Sequence, residues 1–406
     1  MKKVLWIIIC IFLVGCQKKA PLSDKENFKI VVASDLHYFA KENYEECEWF
    51  EEYMLYGDGK MVTYADEILD AFAQRMEEIQ PDLILLTGDL SYNGEKNSHE
   101  QLAEKLKQME KNGTQVAVID GNHDIDNMFA KGYGKDDYID LEYISGKDFL
   151  NIYKDLGYDL AVSQDKNSLS YRIDLNEQYS LLILDTARHE MTGSILNASG
   201  RLTENTYAWT ENELKNIQKE NRVPLIAMHH NLAIHNSNNY ANYTINENEK
   251  IAALFKEYNV PLVLSGHIHL QSIKQIDEIF DVVTTSLVDN PLQYGLIEIS
   301  KDSITYDNES LNISVNSADY FDMVTYNHFE ENVNYKEDEK KKVLEMLVLA
   351  NRHYFAGTMD EVKDEILASE GYQIIKNDET AHYWKYLQTM LENDQEQNHL
   401  KISIEK

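Results

Sequence analysis

The chain is 406 residues long and 43% hydrophobic, enough apolar material for a sizeable core and a length that suggests about two domains. Its 70 Asp and Glu against 38 Lys and Arg give a net charge of −32. That charge repels long polyanions, so DNA, RNA and anionic membrane surfaces are poor partners, whereas a small phosphate ester met by bound cations is not excluded.

Lys2 and Lys3 precede an apolar run from Val4 to Val14. The run is too short to span a bilayer, which takes about 20 residues, and fits a secretory signal. It ends in Leu13-Val14-Gly15-Cys16, which resembles a bacterial lipobox. The resemblance implies removal of residues 1–15, a diacylglyceryl group on Cys16, and an extracytoplasmic protein lipid-anchored to a bacterial membrane. Residues 16–27 then form a polar tether. Cys10 leaves with the signal and Cys16 is lipidated, so Cys47 has no partner for an intrachain disulfide.

From 28 to 315, apolar β-branched runs alternate with amphipathic helices. Each run ends in polar residues of one kind. IVVAS leads to Asp35-Leu36-His37, and a helix over Ala65–Ile79 leads to LILLT and Gly88-Asp89. A helix over Ser98–Lys111, with Ser98 as a cap, leads to VAVI and Gly121-Asn122-His123-Asp124. The stretch 127–167 is rich in Asp, Gly, Tyr and Lys and reads as an insertion near the site, either a partial lid or a solvated excursion. After a helix over Trp209–Lys219, PLIAM precedes His229-His230 and PLVLS precedes Gly266-His267-Ile268-His269. Strands over Phe280–Ser286 and Gln293–Ile299, with Asn290-Pro291 between, suggest a hairpin-like arrangement. Beyond Ala318 the pattern is helical only: a helix over Lys336–Phe355 ended by Gly357, a capping box from Thr358 to Glu361, and a helix over Ala381–Leu391. Residues 316–406 read as a small all-helical domain that covers one side of the pocket or packs on the rest.

Carboxylate, amide and imidazole groups at strand ends converge on one edge of a sheet, where open α/β folds place their chemistry. Without thiolates, such donors suit Mn, Fe, Zn or Co. Any one of these histidines reads equally well as a surface or core group; five such groups in order, each after a buried-strand pattern, do not. Neighbouring side chains on a strand point to opposite sides, so only one of His229 and His230 binds metal. His123 cannot share an ion with Asn122 beside it and is free to touch substrate, with Asp124 holding its ring; the plainer reading is a hydrogen-bonding support. His235, in the loop HHNLAIH, reaches the phosphate pocket or is a surface residue. His99 and His189 receive no role, and His328, His353, His382 and His399 read as surface or helix-packing groups.

The ordered set resembles the calcineurin-like metallophosphoesterase superfamily over roughly residues 30–300. The resemblance implies an α/β fold, a four-layer αββα sandwich with a dinuclear centre at its strand ends. Asp35, His37 and His269 correspond to ligands of one divalent ion, Asp89 to the bridging carboxylate, and Asn122, His229 and His267 to ligands of the second. His123 corresponds to the acid/base and phosphate contact, with Asp124 as its orienting partner, and Asn122 is a further substrate contact. The family pattern makes His229 the ligand, which leaves His230 as a support of the site or a substrate-facing residue beside His235. Gly94-Glu95-Lys96, Ser98-His99-Glu100, Gly200-Arg201-Leu202 and Trp209 resemble the bacterial branch that includes class III cyclic-nucleotide phosphodiesterases. Asp120 stands where many relatives have proline, which changes the approach to the loop and not the chemistry. The expected function is metal-dependent hydrolysis of small phosphate diesters, cyclic nucleotides among them, by a nucleophile generated between two ions. A phosphomonoesterase on nucleotide or sugar phosphates, and a non-enzymatic metal-binding lipoprotein, are the alternatives.

Overall fold

A computed structural model describes residues 19–189, 197–238, 240–378, 383–392 and 395–404. Cys16 and the signal sequence lie outside the described residues. Fifteen strands are present among those described: β1 (Phe28–Ala33), β2 (Leu83–Thr87), β3 (Gln115–Ile119), β4 (Lys131–Tyr133), β5 (Tyr138–Asp140), β6 (Ser163–Gln164), β7 (Tyr171–Asp174), β8 (Tyr179–Leu184), β9 (Val223–Met228), β10 (Leu262–Ser265), β11 (Ser272–Ile276), β12 (Ile279–Val283), β13 (Gln293–Ile299), β14 (Ser303–Ser310) and β15 (His399–Ser403). One sheet has the order β15-β14-β13-β1-β2-β3 and the other β11-β12-β10-β9-β8-β7-β6, with β4 and β5 a separate hairpin. β1, β2 and β3 are parallel, with Val32 opposite Leu85 and Leu85 opposite Ala117. In the second sheet β8, β9, β10 and β12 are parallel.

Parallel strands covered on both faces read as unbroken apolar runs, and every residue of β2 and β8 is buried. The alternation along β8 to β10 sorts them into two layers. Leu181, Ile183, Leu225, Ala227, Leu262 and Leu264 join the core shared with the first sheet and with Ile68, Leu69, Phe72 and Met76 of helix Ala65–Ile79. Leu182, Leu184, Ile226, Met228 and Val263 face the helices Glu204–Lys219 and Asn248–Glu257, meeting Leu214, Ile217, Ile251 and Phe255. The result is the expected helix, sheet, sheet, helix stack.

The helical C-terminal region also follows expectation, with helices Ser317–Glu330, Glu337–Phe355, Met359–Ala368, Glu370–Lys376 and Trp384–Glu392. Their core takes in Ile268 and Leu270, which flank His269. Full burial of one such side chain contributes roughly 1.5–3 kcal/mol, so the helices clamp the histidine loop from outside the sandwich. The region is not helical throughout: β15 returns to pair with β14, Ile402 opposite Ile304.

Several local readings are corrected. The ligand-bearing strands are divided between two sheets, and the site lies across the sandwich at their common ends; a buried apolar run looks the same in either sheet. β12 and β13 belong to different sheets and form no hairpin. The helix read from Ser98 begins at Lys96, and buried Ser98 Oγ instead accepts from the Ala40 amide and the Asn43 side chain, both at 3.1 Å. Thr358 makes no capping bond to the helix, because its hydroxyl meets His353 Nδ1 at 2.8 Å. The 127–167 stretch is packed in part and solvated in part: the Tyr133 ring lies 4.4 Å from that of Phe50, and Tyr153, Leu156 and Tyr158 enter the main core, whereas Tyr138–Asp140 are exposed.

Candidate metal centre

The site is assembled on strained turns. Asp35, His37, Asp89, His267 and His269 have φ of 51°, 39°, 47°, 72° and 58°. Side-chain-bearing residues seldom adopt such angles, at roughly 1–3 kcal/mol each, unless the surroundings impose them. The surroundings here are cross-links between strand ends. The Asp35 amide donates to the Gly88 carbonyl at 3.0 Å and that of His37 to the Asp89 carbonyl at 2.9 Å. The His267 amide donates to Asp35 Oδ2 at 2.9 Å, and Ser34 Oγ donates to the same oxygen at 2.5 Å. Gly121 has no room for a side chain, since a Cβ there would lie 2.2 Å from Asp89 Oδ1. Gly88 combines a φ of 98° with a Cβ position only 2.6 Å from the His229 ring.

Two groups of ligand-type atoms converge and share one carboxylate. Asp35, His37, Asp89 and His269 form the first, and Asp89, His229 and His267 the second. His37 Nε2 faces His269 Nε2 at 3.1 Å, and His269 Nε2 lies 3.2 Å from Asp35 Oδ1. His229 Nε2 lies 3.4 Å from Asp89 Oδ2 and 3.1 Å from Asn122 Oδ1, which brings Asn122 to the second group. Asp35 Oδ1 and His37 Nδ1 are buried without a hydrogen-bond partner. Buried donors and acceptors almost always pair, so the unpaired Asp35 Oδ1 stands out. Others among the converging atoms meet each other, imidazole on imidazole and imidazole on amide, and a set drawn from carboxylate, amide and imidazole suits a hard or borderline cation.

Electrostatics divide the imidazoles. Burial disfavours charge on all of them, but Asp89 outweighs it at His229 and Asp35 at His269, pushing these up to about 9 and about 10. His37 and His267 go the other way, His267 to about 4, because burial is reinforced by Lys60 and then by neighbouring imidazoles at His37, and by His229 at His267. Asp89 is held well below the ordinary carboxylate range: burial opposes this, and His229, His123 and His37 overcome it.

His123 stands apart with its side chain 25% exposed, while those of His37, His229 and Asp35 are fully buried. Its Nδ1 donates to Asn93 Oδ1 at 2.9 Å and the Tyr92 carbonyl at 3.0 Å, and Nε2 lies 4.0 Å from Asp89 Oδ2. Asp124 is therefore not its orienting partner. The Asp124 carboxylate turns inward and accepts from the Gly121, Leu90 and Ser91 amides at 2.8, 3.1 and 2.9 Å. It fixes the loop's path, helped by His99, whose Nε2 sits 2.8 Å from Ser91 Oγ. His230 and His235 do not face a substrate cleft. His230 is fully buried, its Nδ1 2.9 Å from Thr186 Oγ1 and its Nε2 3.2 Å from the Ala198 carbonyl, its ring tilted against that of His267 at 4.4 Å. His235 is buried against Asp281 at 3.2 Å, a carboxylate that also takes the Leu232 and Ala233 amides.

Three contributors escape the motif reading. Asp289 Oδ2 lies 2.9 Å from His269 Nδ1, and the Thr87 carbonyl accepts from His229 Nδ1 at 2.9 Å, so both rings present Nε2 to the clusters. Lys60 is the third: its ammonium pairs with Asp58 at 2.6 Å, its side chain is 10% exposed, and its charge reaches His37, His123 and His269. Burial works against that charge, yet Asp58, then Asp289 and Asp89, hold it above its ordinary value. The only sequence signal is a lysine in a Gly-Asp-Gly-Lys turn, which marks a turn and no partner.

The calcineurin-like phosphoesterase profile matches residues 28–271, the span that carries every residue of both clusters. The chain belongs to the calcineurin-like phosphoesterase family. A second profile, the C-terminal domain of cyclic nucleotide phosphodiesterase, matches residues 301–398 of this phosphoesterase. It is 27% identical over 191 residues to a probable cyclic nucleotide phosphodiesterase of Coxiella burnetii, covering 47% of this chain and 61% of that protein. It is 26% identical over 210 residues to a 3',5'-cyclic-nucleotide phosphodiesterase of Nostoc sp., covering 50% and 63% respectively. The matched spans thus reach about three-fifths of the length of these relatives. Among solved structures, a dimetal phosphatase from Danio rerio shares the fold, with a TM-score of 0.51 and 12% identity over 70% of this chain and 96% of that one.

Proposed function

We propose that this phosphoesterase hydrolyses small phosphate diesters, cyclic nucleotides among them, using two divalent ions bridged by Asp89. The observation that carries the reading is the shared carboxylate: one aspartate belongs to two separate groups of converging ligand atoms. The relatives' names and the C-terminal profile point to the diester.

Asp35, His37 and His269 would hold one ion with Asp89, and Asn122, His229 and His267 the other. When bound, the ions supply Lewis-acid charge to the phosphoryl oxygens and acidify a water toward neutral pH. The chain does the rest. Asp89 and Asp35 offer anionic oxygens at neutral pH. His123 keeps its Nδ1 proton on Tyr92 and Asn93, so Nε2, the nitrogen on the open side, gives or takes the proton at the leaving oxygen. Lys60 places a cation beside the same imidazoles, where it suits a non-bridging phosphoryl oxygen. Asp58, its partner, also lines a cavity of about 550 Å³ with Phe321, Phe355 and Tyr386, whose faces suit a planar base.

The test is chelator-stripped protein reconstituted with Mn, Fe, Zn or Co and assayed on cyclic nucleotides, linear diesters and nucleotide or sugar monoesters. Hydrolysis of cyclic nucleotides or linear diesters that needs added metal is expected. Turnover of monoesters alone would replace the diesterase reading, and no metal-dependent turnover would remove the catalytic one.

Among the described residues no helix is long and apolar enough to cross a membrane. We propose attachment through a lipid on Cys16, and Cys16→Ser should abolish lipid labelling and release the protein from membranes. Full retention of that variant through a high-salt wash would contradict the attachment.

A further inference from the structure

A third group of ligand atoms spans the two sheets, and none of its residues belongs to the proposed chemistry. Asp120 directly follows β3, Asp185 directly follows β8, and His189 lies four residues further on. One ligand atom from each falls within 4.8 Å of the others. His189 Nε2 is 3.1 Å from Asp120 Oδ2 and 3.9 Å from Asp185 Oδ1.

Three observations distinguish this group from an ordinary ion pair. First, the Asp120 side chain is completely buried, and neither of its oxygens has a hydrogen-bond partner; the same holds for both ring nitrogens of His189. The approach of ring to carboxylate is close but lacks hydrogen-bond geometry. The His269–Asp35 and His229–Asp89 pairs of the Asp89 centre approach in that same manner, at 3.2 and 3.4 Å. Second, two carboxylates share a buried space with one imidazole. Burial and the neighbouring Asp120 push the Asp185 carboxyl up to about 7, even though the Leu169 and Ala187 amides donate to it at 3.0 and 3.2 Å. A divalent ion with a neutral imidazole leaves the set electrically neutral. Third, the Tyr158 hydroxyl, close enough to feel both carboxylates, is also buried without a partner. The buried Asp120 oxygens and His189 nitrogens, unpaired yet 3.1 Å apart at their closest, are the arrangement that an ion resolves.

We propose that Asp120, Asp185 and His189 form a third divalent-cation site, structural in role, which ties the end of β3 to the end of β8 across the two sheets. The two carboxylate oxygens and one imidazole nitrogen suit Zn, Mn or Co. Its position explains what it would do. Asp120 immediately precedes the loop that carries Asn122 and His123, so an ion here fixes that loop from behind. The site stands independently of the two-ion reading of the Asp89 centre.

The experiment counts ions in the chelator-stripped full chain after equilibrium dialysis against Zn, by mass spectrometry of the metal, and repeats the titration with Co to read its visible absorption. Wild type should take up three equivalents. His189→Gln and Asp185→Asn should each take up one fewer, while Asp89→Asn should keep the third-site Co spectrum that His189→Gln loses. Equal stoichiometry in wild type and both third-site variants would overturn the proposal and leave an Asp120–His189 ion pair. Should both variants fail to fold, Asp89→Asn still decides: no tightly held ion there also overturns it. A wild type that holds only the ion lost in His189→Gln would count against the two-ion reading alone.

Discussion

The two clusters that meet at Asp89 draw on both sheets in different proportion and follow the same charge plan. One takes Asp35 and His37 from the end of β1 and His269 from the loop after β10; the other takes His267 from that same loop, His229 from the end of β9 and Asn122 from the loop after β3. In each, one imidazole lies against a buried carboxylate and is pushed up, His269 to about 10 and His229 to about 9. In each, the other imidazole is pushed down, His37 and His267, by burial first and then by its charged neighbours. The lesson is that each half keeps one proton where a cation belongs, with anionic oxygens already in place. Both halves hang on one shared group, so damage to Asp89 and damage to a single histidine should differ in kind.

Asp89→Asn should have the largest effect. A neutral amide cannot bridge two cations, so metal-dependent hydrolysis should fall to background while the circular dichroism spectrum stays that of wild type; wild-type turnover would break the symmetry argument. His123→Ala should keep both ions, since His123 lies outside both clusters, and should lower the rate by roughly 10²–10⁴-fold. The loss should be greatest for esters with poor leaving groups, measured against an activated aryl ester; an equal loss on both, with metal lost, would make His123 a ligand. Asp289→Asn acts on one half only, through the His269 ring, and should weaken metal affinity or activity by about 10–100-fold. If it depletes both ions equally, the two halves are not separable.

The smallest effect is one of pH. An imidazole must lose its proton to bind a metal. In the metal-free protein His229 and His269 hold theirs up to about 9 and about 10, so they are protonated at neutral pH. Apparent metal affinity should therefore rise from pH 6 to pH 8, by up to about tenfold per unit for each proton displaced. Zn titrations at pH 6, 7 and 8 measure this, and a flat profile would contradict the proton-for-cation exchange.

What the sequence made legible follows from where each residue sits. Asp35, Asp89, His229 and His267 come just after unbroken apolar runs, and strand geometry carries that adjacency straight into space. Which sheet a run joins is not written in it, so the division of the ligands between two sheets was hidden. Side-chain direction on tight turns was hidden too. Asp124 turns inward to three amides although its neighbour His123 faces outward, and nothing in Gly-Asn-His-Asp distinguishes the two. His235 looks like a loop histidine until Asp281, 46 residues away, is folded beneath it. β15 escaped because HLKIS buries only Ile402 fully, and an exposed edge strand lacks the apolar signature. Lys60 and Asp289 are brought to the centre by packing between distant segments, which leaves no periodic trace.

The most direct test of the shared bridge is electron paramagnetic resonance of the chelator-stripped protein reloaded with Mn. Wild type should show the exchange-coupled signal of two manganese ions joined by a common ligand, and Asp89→Asn should show only uncoupled ions. A wild-type spectrum without coupling, or a coupled pair that survives in Asp89→Asn, would contradict the account.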